Sequence, residues 1–274
     1  MRAATAARDI RFVVSDVDGT IVDHDKRLRP ATIEAVGRVR AAGIGFTVIS
    51  ARPPSGVEPI AELLRLDGPI GAFNGGVVFH RGGEVMEEHD VPAEVARGML
   101  DLAAGSGASV WVFADGRWHA DTVDNPHVPR ERVSANQEPV ILSDLSEVAT
   151  RAGKVTFVSD DPPVLEKLLA AGRERFGDRA TIALSQTYYL DVTALEANKG
   201  KGVEALARAA GVGLEHVMVL GDMRNDLPML ERAGLAVAMG QAPDDVRAAA
   251  HWVSRSNDED GVAAALDRLL AERG

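Results

Sequence analysis

Short continuous apolar runs alternate with helical-period stretches over the first third of this chain. Residues 10–15 and 44–49 read as buried strands, and 69–73 as a third. Between them, Pro30 to Ala42 carries Ile33, Val36 and Val39 on one stripe, and Gly43 stands where that helix should stop. Residues 53–66 form the next helix. Fully apolar strands separated by amphipathic helices predict a parallel sheet covered on both faces. In such sheets ligands bind beyond the carboxyl ends of the strands.

The rhythm changes near residue 82. Val110 to Ala114 and Arg117 to Val123 flank Asp115-Gly116, a strong hairpin signal. A strand over 155–158, a helix over 163–176 and strands around Ile182 and Tyr189 follow. Mixed hairpins and helices predict an inserted α+β domain, placed at 83–186. After it the first rhythm resumes: helix 200–210, strand 217–220, helix 225–233, strand 235–239, then two terminal helices. The expected core, 1–82 with 187–274, is therefore discontinuous in sequence.

Composition narrows the function classes. The 274 residues include no cysteine, which excludes disulfides, thiolate metal sites and cysteine nucleophiles. No run approaches the length of a membrane span, and residues 1–11 hold no apolar stretch of signal-peptide length, so the cytoplasm is the expected address. A net charge of −11 argues against nucleic acid or an anionic membrane as partner. Neither a heptad nor a long exposed apolar stripe specifies an oligomeric state.

The candidate chemistry lies at predicted strand ends. Asp16 and Asp18, in Val14-Ser15-Asp16-Val17-Asp18-Gly19-Thr20, leave one face of an extended chain where the first strand stops. Neighbouring carboxylates repel, so a bound cation or a shared proton is expected there. Read alone, the segment is also an ordinary turn. It is not a calcium loop, because Arg27 stands where a bidentate Glu belongs. Gly221-Asp222-Met223-Arg224-Asn225-Asp226 repeats the theme, and Asp222 with Asp226 offers oxygen ligands suited to Mg²⁺. Helix capping alone would account for Asn225 and Asp226 but leaves Asp222 unused. Ser50 ends the second strand, and Lys199 opens a helix; read singly, they are a cap residue and a surface charge.

Their order carries more than any one of them. Asp-x-Asp-Gly-Thr, then Ser50, then Lys199, then Gly-Asp-x-x-Asn-Asp resembles the four motifs of the haloacid dehalogenase superfamily. Phe73-Asn74-Gly75-Gly76, Tyr189-Leu190-Asp191-Val192, Ala238-Met239-Gly240 and Asp260-Gly261-Val262 further resemble its Cof-like (type IIB) phosphatases. Gln241 departs from the Asn usual there, and Asp191 from a common Glu. The resemblance implies an α/β fold, a Rossmann-like doubly wound parallel-sheet core with an inserted α+β cap domain. It implies a phosphatase of small phosphate esters, sugar phosphates or similar, that works through an aspartyl-phosphate. Asp16 would be the nucleophile and Asp18 the acid and base. Mg²⁺ would be held by Asp16, the Asp18 carbonyl and Asp222, with Asn225 and Asp226 in support. Ser50 and Lys199 would bind phosphoryl oxygens, and Arg52, Asn74 and Asn225 would face the substrate. A phosphosugar mutase and a catalytically silent phosphate-binding module are the alternatives. In the cap, Trp111, Trp118, His119, Asp121, Asp124, Asn125 and His127 form a cluster whose Trp rings could stack on a sugar or base and whose His and Asp could bond hydroxyls or a metal. Alternation along a hairpin puts half of them on the solvent face, and that is the stronger reading.

Overall fold

The computed structural model describes residues 4–273, so the first three residues of the amino-terminal stretch lie outside it. In chain order the elements begin with β1 (Phe12–Asp16), α1 (Pro30–Ala41), β2 (Gly45–Ile49) and α2 (Pro54–Leu63). Then come β3 (Ile70–Ala72), β4 (Val77–Phe79), β5 (Val85–Glu88), α3 (Ala93–Ala103), β6 (Ser109–Ala114) and β7 (Arg117–Ala120). The middle continues with α4 (Val128–Ala135), β8 (Val140–Ile141), β9 (Ala152–Val158), α5 (Pro162–Phe176), β10 (Ala180–Gln186) and β11 (Tyr189–Ala194). The chain closes with α6 (Lys199–Ala209), β12 (Val217–Gly221), α7 (Leu227–Leu230), β13 (Leu235–Ala238), α8 (Asp244–Ala248), β14 (Trp252–Val253) and α9 (Gly261–Ala271). None of the described helices is long and apolar enough to cross a membrane.

The described chain divides into two compact units. One holds the residues up to Ala51, Glu58–Met86 and those from Asn198; the other holds Arg52–Val57 and Glu87–Ala197. The first contains an eight-stranded sheet in the order β14-β13-β12-β1-β2-β3-β4-β5. β1 pairs in parallel with β12 on one side and β2 on the other. Every residue of β1 is buried, the apolar Phe12, Val13 and Val14 and the polar Ser15 and Asp16 alike, as in a sheet covered on both faces. Val203, Leu206, Met229, Ala233 and Val246, from α6 to α8, pack with Phe12, Val14, Val217 and Val219 on one face. The chain moves outward from β1 to β2 and β3, then returns to the opposite side at β12. The strand order therefore reverses at β1 and β12, which is where an open α/β sheet leaves a crevice at its carboxyl edge. The sheet is mixed rather than wholly parallel, because β4 runs antiparallel to β3.

The second unit contains a six-stranded sheet ordered β10-β11-β9-β6-β7-β8. The Asp115-Gly116 turn joins β6 to β7 as expected, with Asp115 and Gly116 both at positive φ. Val112, Val155, Phe157, Leu190 and Val192 form its core with Val95, Met99, Leu165 and Leu168 of α3 and α5. Two differences from the sequence reading stand out. β11 pairs with β9 and β10, so Tyr189–Ala194 belongs to this sheet and not to the other. The helix expected over 225–233 is instead a 3₁₀ turn, Arg224–Asp226, followed by the single turn of α7. The Asp226 side chain folds back to accept from the N–H groups of Asp222 and Met223, which closes that tight turn.

Candidate active site

Asp16 is the last residue of β1, and the chain turns sharply after it. The N–H groups of Thr20, Ile21 and Val22 all donate to the Val17 carbonyl, at 3.3, 3.1 and 3.2 Å. Gly19 takes φ +83°, and a Cβ there would lie 2.3 Å from Asp222 Oδ2. Only a residue without a side chain lets the first turn approach the end of β12 so closely. Thr20 Oγ1 donates to Asp222 Oδ1 at 2.9 Å, which ties the two strand ends together. Gly19→Ala is expected to cost roughly 1–3 kcal/mol from this overlap and its left-handed backbone. It should also push Asp222 off Thr20, which denaturant unfolding and a structure of the variant would report.

Lys199, first residue of α6, reaches the same point. Asn198 caps that helix, its side chain accepting from Lys201 N at 3.1 Å. Gly75, at φ +90°, lies against Gly202, where a Cβ on Gly75 would fall 2.4 Å from Gly202 Cα. The start of α6 can thus seat Lys199 deep in the fold. Its ammonium donates to Asp16 Oδ1 and, at 2.6 Å, to Asp226 Oδ1. Asp16, Lys199, Asp222 and Asp226 are 4%, 1%, 6% and 0% exposed. One oxygen from each of the three carboxylates lies within 4.8 Å of the others.

The electrostatics follow from that burial. Desolvation pushes the Asp16 carboxyl well above the usual range; Lys199 pulls it back, while Asp226 and Asp222 push it further up. Asp222 is pushed up to about 6, by burial first and Asp226 second, against the Thr20 hydrogen bond and Lys199. Burial works against the Lys199 charge, but Asp16 and Asp226 outweigh it and hold the ammonium more firmly protonated than usual. Three carboxyls face one ammonium, so ionising all of them leaves two negative charges that Lys199 does not balance. Buried charge of that size calls for a cation.

The other predicted residues fall into separate places. Asp18 lies outside the trio; its carboxyl accepts from Lys26 Nζ at 2.5 Å. Ser50 is buried just beyond β2, and its carbonyl accepts from Asn74 N at 2.7 Å. Asn74 sits at φ +58° and faces Asn225, whose Nδ2 approaches Asn74 Oδ1 at 3.4 Å. Arg52 belongs to the second unit and donates to the Gly56 carbonyl at 3.2 Å. The cap residues do not gather as a metal site of three or more side chains: among the described residues, the one such group of His, Asp and Glu is Asp16, Asp222 and Asp226. Trp111 and Trp118 are completely buried, edge to face at 5.1 Å, and so are packing residues and not open stacking platforms. His127 is stacked on Tyr188 and bonded to Asp160, and Asn125 bonds Ser109.

Sequence reading missed three residues at the first turn: Thr20, Lys26 and Gln241. Thr20 was visible inside the Asp-Gly-Thr motif. The Gln241 amide donates to the Gly19 carbonyl at 2.5 Å and accepts from Asn257 N at 3.1 Å. The residue that departs from the usual Asn thus braces the turn carrying Asp18.

Comparison with known proteins agrees with this arrangement. Residues 13–266 match the family model of haloacid dehalogenase-like hydrolases. A Haemophilus influenzae protein assigned as a phosphatase is 32% identical over 264 residues, covering 96% of this chain and 99% of that one. The pyridoxal phosphate phosphatase YbhA of Escherichia coli is 28% identical over 92% of this chain and 96% of its own. Among solved structures, the haloacid dehalogenase subclass IIB sugar phosphatase BT4131 matches with a TM-score of 0.80 at 27% identity, covering 94% of this chain and 98% of that one. With the motif order, the reversal of strand order at β1 and β12 and a family model running across both units, the chain belongs to the haloacid dehalogenase-like hydrolases, as a phosphoric monoester hydrolase of the Cof-like branch.

Proposed function

We propose that this enzyme is a Mg²⁺-dependent phosphatase of small phosphorylated metabolites, sugar phosphates or similar, acting through an aspartyl-phosphate on Asp16. The observation that carries this reading is the buried cluster of Asp16, Asp222 and Asp226 around one ammonium, with charge left over for a divalent ion. Hard carboxylate oxygens suit Mg²⁺. Asp16, the Asp18 carbonyl and Asp222 would hold it, with Asp226 and Asn225 behind them. When bound, it supplies positive charge that lets an anionic nucleophile and an anionic phosphoryl group approach each other.

The side chains then have distinct tasks. A carboxylate oxygen of Asp16 attacks phosphorus in line as the bond from phosphorus to the ester oxygen breaks. Asp18 gives its proton to that oxygen, then takes a proton from the water that hydrolyses the aspartyl-phosphate. Lys199 has three N–H donors; Asp16 and Asp226 take two, and the third serves a phosphoryl oxygen with Ser50. Asp226 fixes Lys199 and the turn that carries Asp222. Burying three acids at such cost is poorly explained by a silent binding module. The related pyridoxal phosphate and sugar phosphatases support a small phosphate ester as substrate, and the net charge of −11 opposes nucleic acid.

The metal assignment predicts a specific pH dependence. With Asp222 raised to about 6, the metal-free folded protein holds a proton that the unfolded chain releases earlier. That contribution is fully present below about pH 4 and is lost as pH rises through about 6, on the order of 3 kcal/mol in all. Asp16 shifts in the same direction. Mg²⁺ needs the ionised carboxylates, so it should raise the unfolding temperature more at pH 8 than at pH 5. Thermal unfolding with Mg²⁺ and with EDTA at both pH values tests this. An equal shift at the two, or none, would count against a metal on these carboxylates.

A further inference from the structure

The Asp18 carboxyl has a partner that no part of the reaction described so far uses. Lys26 lies in the loop that follows the first turn, a loop closed by the bridges Asp18 to Val22 and Val22 to Leu28. Lys26 N donates to the Asp23 carbonyl, and Asp23 N to the Arg27 carbonyl, each at 3.0 Å; Arg27 N donates to Asp23 Oδ1 at 2.9 Å. Within this bonded loop Lys26 takes φ +64°, a left-handed conformation that a lysine seldom adopts and that glycine or asparagine would occupy more readily. The neighbouring side chains of His24 and Arg27 are 75% and 77% exposed, whereas that of Lys26 is 22% exposed and turned inward. Its ammonium meets Asp18 Oδ1 at 2.5 Å.

We propose that Lys26 is a positioning residue for the leaving-group side of the reaction, holding the Asp18 carboxyl in the orientation from which its proton is delivered. A short carboxyl on a turn rotates freely unless something fixes it, and productive proton transfer needs the donor within hydrogen-bond reach of the ester oxygen. Lys26 fixes one oxygen and sets the plane in which the other lies. Lys199 has no share in this task, because its ammonium is bonded to Asp16 and Asp226. Two lysines thus divide the work: Lys199 serves the nucleophile and the phosphoryl group, and Lys26 serves the acid. The inference rests on Asp18 being the acid of the proposed mechanism.

The step it affects is the first. The Asp16 oxygen bonds to phosphorus, the bond from phosphorus to the ester oxygen breaks, and the Asp18 proton passes to that oxygen. An alkyl alkoxide cannot leave without the proton; p-nitrophenolate can. The test is therefore kcat/KM of Lys26→Met and Lys26→Arg on an alkyl phosphate and on p-nitrophenyl phosphate. This parameter stops at the first irreversible step and so excludes hydrolysis of the intermediate. Lys26→Met is expected to lose roughly 10- to 100-fold on the alkyl ester and less than about 3-fold on the nitrophenyl ester. Lys26→Arg should recover most of the loss. A purely structural role would lower both substrates together, and that result, or no loss on either, would overturn the proposal. Should Lys26→Met fold poorly, Lys26→Ala likewise removes the donor to Asp18 and is read in the same way. Asp18→Asn separates the two levels: without leaving-group dependence in that variant the acid assignment itself fails. Dependence in Asp18→Asn but not in Lys26→Met overturns the role of Lys26 alone.

Discussion

Asp16→Asn is expected to lower kcat by on the order of 10⁴-fold or more and to leave the fold intact. The amide cannot attack phosphorus, and the carboxylates nearest to it, Asp222 and Asp226, are assigned to the metal and to Lys199 in this mechanism. The stability side has the opposite sign. Asp16 is buried, and its charged form is disfavoured by desolvation and by Asp222 and Asp226, so removing the charge relieves a strain of the metal-free protein. Lys199 keeps Asp226 as its partner. The metal-free variant should therefore unfold at a temperature no lower than the parent, while losing most of the stabilisation by Mg²⁺. Circular dichroism with and without Mg²⁺, beside phosphate release, would check both halves. Loss of turnover through unfolding would show that the substitution tested the fold and not the nucleophile.

Lys199→Met should be damaging in both respects. The ammonium is 1% exposed and lies between two carboxylates, so its removal leaves Asp16 and Asp226 buried without it. Breaking one side of a buried ion pair costs about 3–5 kcal/mol. Activity should fall roughly 10²- to 10³-fold, as for loss of one preorganised donor to developing charge. The double variant Lys199→Met, Asp226→Asn separates the two effects: it should regain part of the stability and none of the activity. Denaturant unfolding and initial rates on the single and double variants form that cycle. Recovery of activity by Asp226→Asn would mean that Lys199 only balances charge and does not touch the phosphoryl group.

The core of this molecule was open to sequence reading because its strands are continuous apolar runs with helices between them. Once β1 and β12 are strands, their carboxyl ends locate Asp16 and Asp222, and the order of strands brings the two together. Lys199 was harder. It is a helix-start lysine that would ordinarily be solvated, and only its place in the motif order marked it. What stayed hidden depends on contacts that cross long stretches of chain. Gln241 meets Gly19 across 222 positions, and no local pattern announces that bond. Lys26 is close to Asp18 in sequence, yet its left-handed backbone has no residue signal.

Short or exposed elements also escaped. β5 has two exposed apolar residues, Val85 and Met86, on an edge where no alternation develops, and β8 and β14 are two residues each. The α4 helix carries too little apolar patterning to declare itself; its buried residues are Val128, Glu131 and Ala135. The 3₁₀ turn at Arg224–Asp226 escaped for another reason. Helical spacing fits the sequence there, but the Asp226 side chain competes for the backbone N–H groups and wins. In the insertion, Trp111 and Trp118 drew attention as aromatic residues on a hairpin. The register puts both on one face, with Phe113 beside Trp118, and that face is buried.

Phosphate release from a panel of phosphorylated small metabolites, with excess Mg²⁺ and after EDTA, tests the central claim most directly. The account predicts Mg²⁺-dependent release from at least one ester, abolished by EDTA, with the highest kcat/KM naming the substrate. Equal release in EDTA, or turnover that appears only when a bisphosphate activator is added, would contradict it.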